Sequence, residues 1–86
     1  MEVAIHKLAT AELEALPQSE QDAIGHAIEK LEAFGTSLAF AHQSAVKGTK
    51  DLRELRPRSG RSRWRAFYRR IGDTLWIGSI GPEAKV

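Results

Sequence analysis

Apolar residues recur at a helical interval in one long stretch. Ile24, Ala27, Ile28, Leu31 and Phe34 line one side of a predicted helix, with Glu29, Lys30 and Glu32 opposite. Ser19 is placed to cap it, Glu20 and Asp22 suit its positive end, and Gly35 is placed to stop it. A shorter helix is predicted from about Leu8 to Leu16, closed by Pro17. Before it, Glu2 to His6 alternates weakly, as a short strand would. Ser37 to Val46 fits no single period, although a short helical turn is compatible with it. Lys47-Gly48-Thr49-Lys50 reads as a loop.

Beyond that loop the period falls from 3.6 toward 2. Asp51 to Arg56 reads as a strand, Pro57-Arg58-Ser59-Gly60 as a turn, and Arg63 to Ile71 as a second strand. Gly72-Asp73 is a two-residue hairpin signal. Thr74 to Ile80 is a third strand, apolar on both sides and therefore central or covered twice, and Gly81-Pro82 ends it. Helices first and an antiparallel meander afterwards define an α+β fold, with N-terminal helices packed on one face of a small antiparallel β-sheet.

The chain has 86 residues, which predicts a single domain over 1–86. No stretch approaches the ~20 consecutive apolar residues of a membrane span, and no secretory signal pattern opens the chain. Cysteine is absent, which removes thiol chemistry and Cys-ligated metals and fits a cytoplasmic setting. No glycine-rich phosphate loop, paired metal-binding histidines or serine-nucleophile motif is present, so neither metal nor cofactor is expected.

Charge changes the picture more than composition does. Residues 1–43 carry two bases against seven acids, net −5, whereas residues 44–86 carry eleven bases against four acids, net +7. Eight of those bases are arginines between positions 53 and 70. Arginine grips phosphate with two parallel hydrogen bonds and stacks on bases, so this half suits a polyanion, nucleic acid before others. An acidic protein partner would also suit it. Alternation along the second strand puts Trp64, Ala66 and Tyr68 on one face and Arg63, Arg65, Phe67 and Arg69 on the other. Leu52, Glu54 and Arg56 share a face of the strand before it. A sheet covered by helices on one side would show arginines and one or two aromatics on the other, a combination suited to single-stranded RNA. Taken singly, Trp64, Phe67 and Trp76 read as core before base-stacking. Glu54 reads as the cross-strand partner of an arginine before a catalytic base.

Three segments in order carry a family resemblance: Glu12-Leu13-Glu14-Ala15-Leu16-Pro17, Leu52-Arg53-Glu54-Leu55-Arg56 after the Lys47-Gly48 loop, and Trp64-Arg65-Ala66-Phe67-Tyr68. Together they resemble the RelE/ParE superfamily of type II toxin–antitoxin toxins, and within it the phage-derived HigB-like branch. The resemblance implies a ribosome-dependent, metal-independent endoribonuclease that inhibits translation. It also implies a cognate antitoxin, of the helix-turn-helix type, as partner alongside the ribosome and mRNA. It assigns catalytic roles to Arg56, Arg65 and Tyr68. Lys47, Lys50, Arg58, Arg61 and Arg63 would bind RNA by phosphate contact.

The sequence departs from that family at its end. The basic C-terminal tail found in many relatives is reduced here to Lys85, so the domain is also expected to be a shortened form. His6, His26 and His42 all lie in the acidic half. His26 reads as a surface residue, and His42 is the one nearest the basic segment. The alternatives are a non-catalytic or gyrase-directed protein of the same fold, or a basic module for an acidic protein partner.

Overall fold

In the computed structural model, which describes residues 1–83, seven regular elements follow in order. They are β1 (Glu2–Ile5), α1 (Lys7–Glu14), α2 (Gln18–Phe34), β2 (Gln43–Ala45), β3 (Arg53–Leu55), β4 (Trp64–Ile71) and β5 (Thr74–Pro82). Single 3-10 turns occupy Gly35–Ser37 and Pro57–Gly60. Lys85 lies outside the described residues.

The five strands form one sheet in the order β1-β5-β4-β3-β2. The meander from β2 to β5 is antiparallel throughout, as the hairpin signals predict. β1 adds a parallel edge, pairing Glu2 with Thr74 and Ile5 with Ile77, so the sheet is mixed. The connection between β1 and the meander runs through α1 and α2, and a parallel pair needs a long crossover of this kind rather than a hairpin turn. β5 is thus an interior strand, in keeping with its apolar sequence.

Both helices lie on one face. Ala9 of α1 and Ile24, Ala27 and Leu31 of α2 pack with Leu55, Ala66, Tyr68, Leu75, Ile77 and Ile80 in a single core. The helical stripe read from the sequence holds, except that Phe34 is 60% exposed at the last position of α2. Gly35 does end the helix, at φ +55°, a conformation that costs a side chain strain. Ser19 does not cap it. Pro17 is the capping residue, without a side-chain hydrogen bond, because the helix begins at Gln18 and Ser19 already lies in its first turn. α1 is tied to the sheet by Glu12, whose carboxylate accepts the Ile80 backbone N–H at 3.0 Å.

The segment Ser37 to Val46 holds a strand that periodicity misses. β2 is three residues long and gains its hydrogen bonds only from β3, with Ser44 opposite Glu54. β3 is also shorter than predicted, Arg53–Leu55, because Val46 N–H already closes the loop on the Leu52 carbonyl at 3.0 Å. β5 runs two residues further than predicted, through Pro82, and carries a bulge opposite Phe67 and Tyr68 that leaves Gly78 unpaired.

Candidate functional site

The sheet face away from the helices carries the charged cluster. Glu54 of β3 pairs across the strands with Ser44 on one side and Phe67 on the other, and paired residues share a face. Arg56 follows two residues later on the same face, and Arg65 comes two residues before Phe67 on β4. The Glu54 carboxylate accepts the Ser44 hydroxyl at 3.0 Å. It lies 3.6 Å from Arg56 Nη1 and 3.8 Å from Arg65 Nε. Arg56 and Arg65 are therefore drawn to one carboxylate from two strands.

They differ in access. The Arg56 side chain is 22% exposed. Its Nε donates to the Ala41 carbonyl at 3.2 Å, and its guanidinium sits 5.1 Å from the centre of the Phe40 ring. Gly60 makes room for it, since a Cβ there would stand 2.5 Å from Arg56 Nη2. Arg65 is 1% exposed, against the expectation of an arginine on an open surface. The loop from Pro57 to Arg63 folds over it. Arg65 donates to the carbonyls of Ser62, of Trp64 at 2.9 Å and of Gly60 at 3.5 Å, and it pairs with Glu83 at 3.2 Å. Its Nε is buried without a hydrogen bond, facing Glu54. Arg65 is thus enclosed by the protein, with Glu54 as a neighbouring carboxylate, rather than presented to a ligand.

Tyr68 does not join this cluster. It is 3% exposed, on the helix-covered face with Leu55 and Ala66, opposite in the pleat to Arg65. Burial pushes its phenol above its ordinary pKa, partly offset by the Arg53 charge, so it stays protonated and serves the core.

The RNA-binding candidates are exposed but dispersed. Lys47 and Lys50 sit in the β2–β3 loop, whereas Arg58, Arg61 and Arg63 lie beyond the opposite end of β3. Arg58 is pulled toward α2, with Nη1 2.7 Å from Glu20 and Nη2 donating to the Ser19 carbonyl at 3.2 Å. Arg61 Nε donates to the Arg58 carbonyl at 3.1 Å, and Arg63 lies 5.1 Å from the centre of the Trp64 ring. On the helix side of this loop, His26, His42, Arg56 and Arg58 line a cleft of about 730 Å³. No spacing in the sequence joins those four. Among the described residues no cluster of three or more His, Asp or Glu side chains could hold a metal ion. No helix among them is long and apolar enough to cross a membrane.

Glu20 fixes the loop that covers Arg65. It accepts the Ser62 hydroxyl at 2.8 Å and the Arg58 guanidinium, and the Ser62 bond, followed by Arg58, holds its pKa below the ordinary 4.5. A carboxyl with a lowered folded-state pKa stabilises the fold above its unfolded pKa and loses that contribution as pH falls through the folded value. Glu20→Gln is therefore expected to be less stable than the parent at neutral pH. The two urea-unfolding midpoints should converge below about pH 4.5, as the parent carboxyl protonates. A gap that persisted unchanged into acid would show that these bonds do not depend on the charge.

The model of the family described as Phage derived protein Gp49-like (DUF891) matches residues 11–76. No curated protein matches the sequence. Among solved structures, a chain of the E. coli RelBE toxin–antitoxin complex superposes with a TM-score of 0.72 at 15% identity, over 98% of each chain. The archaeal RelE–RelB complex from Pyrococcus horikoshii OT3 gives 0.70 at 22% identity, over 99% of this chain and 97% of that one. The chromosomal ParDE system of P. aeruginosa gives 0.65 at 18% identity, over 98% and 97%. At these identities the likeness is one of fold.

Proposed function

The chain belongs to the phage-derived Gp49-like family and has the RelE fold, and from that premise we propose that it is the toxin of a toxin–antitoxin pair that cuts messenger RNA on the ribosome. The observation that carries the chemistry is the Glu54 carboxylate, held 3.6 Å from a half-open guanidinium and 3.8 Å from a buried one. Structures of the same fold in complex with antitoxins support the setting. The partner is then an antitoxin of helix-turn-helix type encoded beside the gene, and the site of action is the cytoplasm.

The reaction such a site serves is transesterification of RNA. Glu54 accepts the proton of a 2′-hydroxyl, and the 2′-oxygen bonds to the adjacent phosphorus. The bond from phosphorus to the 5′-oxygen breaks, and that oxygen takes a proton from solvent. The products are a 2′,3′-cyclic phosphate and a free 5′-hydroxyl. Negative charge grows on the phosphoryl oxygens in the transition state, where Arg56 stabilises it more than in the ground state. Arg65 acts as a positioning residue through Glu54. Lys47, Lys50, Arg58, Arg61 and Arg63 supply salt-sensitive contacts to messenger or ribosomal RNA.

The test is primer extension on transcripts from cells expressing the chain. Cuts inside translated regions, lost on Glu54→Gln, are the expected result. A second reading has an observation of its own: Arg65 and Arg58 are already bound to the chain's carboxylates, which suits a non-catalytic or gyrase-directed protein of this fold. Intact transcripts with damaged DNA would favour gyrase, and intact transcripts with no damage would favour a basic module for an acidic protein.

A further inference from the structure

The uncovered sheet face continues past Glu54 into an apolar groove of about 600 Å³. Leu52, Phe67, Ile71 and Trp76 line it, with Arg69 at its side. Trp76 is 40% exposed and Ile71 50%, although residues of this kind on an interior strand are ordinarily buried. The bulge in β5 lies alongside the two rings. It sets Gly78 between Trp76 and Ser79, the partner of Phe67, and a Cβ built on Gly78 meets nothing within 4 Å. The floor between the rings is therefore bare backbone under open space.

We propose that this groove, floored by Gly78 between Phe67 and Trp76, is a stacking subsite for a nucleobase of single-stranded RNA. The inference rests on the nuclease reading of Glu54 and adds where the strand lies. Three features select a base over other occupants. Phe67 is paired directly with Glu54, so the groove begins where the carboxylate cluster ends. Arg69 is paired directly with Trp76, which puts a cation for the phosphate beside a ring for the base. Flat rings with no fixed hydrogen-bonding pattern accept any base, and single strands alone offer unstacked ones.

The probe is a 2′-O-methyl oligonucleotide, which lacks the attacking hydroxyl and stays intact, compared with an abasic strand of the same length. In a Trp64→Phe background the remaining tryptophan fluorescence reports Trp76. The base-bearing strand is expected to quench it and to bind about fivefold to a hundredfold more tightly than the abasic one, the worth of one stacked base. Trp76→Ala and Gly78→Val, both followed by the anisotropy of an end-labelled strand because the first variant lacks the reporter ring, should each bring binding down to the abasic level. Valine suits a strand, and the space above Gly78 is open, so the fold is retained. Trp76→Ala carries the test alone if Gly78→Val fails to fold.

Equal binding of both strands by the parent, or equal binding by the parent and Trp76→Ala, overturns the subsite. A dimer in sedimentation that Trp76→Ala dissociates, with no quenching by either strand, overturns it in favour of a self-association surface. The two readings fail separately. Cleavage lost on Glu54→Gln together with binding indifferent to bases removes only the subsite. Base-dependent quenching by a protein that never cuts transcripts removes only the nuclease.

Discussion

Arg65→Ala is expected to cost about 3–5 kcal/mol of folding stability, the range for removing one partner of a buried ion pair and leaving the other charge uncompensated. The Arg65 side chain is the largest of the fully buried ones among the described residues, at 1% exposure. It joins four segments: the loop carbonyls of Gly60 and Ser62, its own strand at Trp64, Glu54 on β3 and Glu83 beyond β5. Alanine would leave a cavity, the carbonyls of Gly60, Ser62 and Trp64 without this donor, and the Glu54 carboxylate without its inner cation. In a domain of this size each kcal/mol moves the melting temperature by roughly 4–8 °C, so the variant is expected to melt at least about 12 °C lower. Arg65→Lys should fall between, because one ammonium cannot span the same fork of acceptors. Thermal unfolding followed by fluorescence decides the matter. A midpoint within about 2 °C of the parent would mean that the guanidinium carries no structural weight. Loss of toxicity in Arg65→Ala would accordingly report unfolding before chemistry.

Glu54→Gln separates the two. The amide keeps the shape, and its oxygen can still accept from Ser44, so the strand pairing that sets the site is retained. It cannot take a proton from a 2′-hydroxyl. Ribosome-dependent cleavage is expected to drop by about 10²–10⁴-fold, the usual contribution of a positioned general base. Its melting temperature should fall much less than that of Arg65→Ala, since Arg65 retains Glu83 and its carbonyl partners. Cleavage at the parent rate would remove Glu54 from the chemistry and leave it as a structural counter-ion for two arginines.

Glu54 shows what sequence can reveal about a site and where it stops. Alternation alone puts Glu54 and Arg56 on one face of a strand, and that holds. Pairing with a neighbouring arginine also holds, twice over. That one carboxylate serves both Arg56 and Arg65 depends on register across two strands, which no local spacing encodes. The opposite faces of Tyr68 and Arg65 follow from alternation, but which face the helices cover does not. Trp76 illustrates the same gap. Its exposure follows from its place opposite Arg69 on the uncovered face, a feature of pairing rather than of composition.

Local chemistry by itself determined the long amphipathic helix, its stop at Gly35, the β4–β5 hairpin and the split between acidic and basic halves. Each depends on neighbours within a few residues. Only the tertiary structure decided that Arg65 is inside and Arg56 at the surface, that β1 lies parallel to β5, and that β2 exists. Those outcomes depend on which distant groups offer hydrogen bonds and counter-charges, and a guanidinium goes into a protein only where carboxylates and carbonyls are already arranged to receive it.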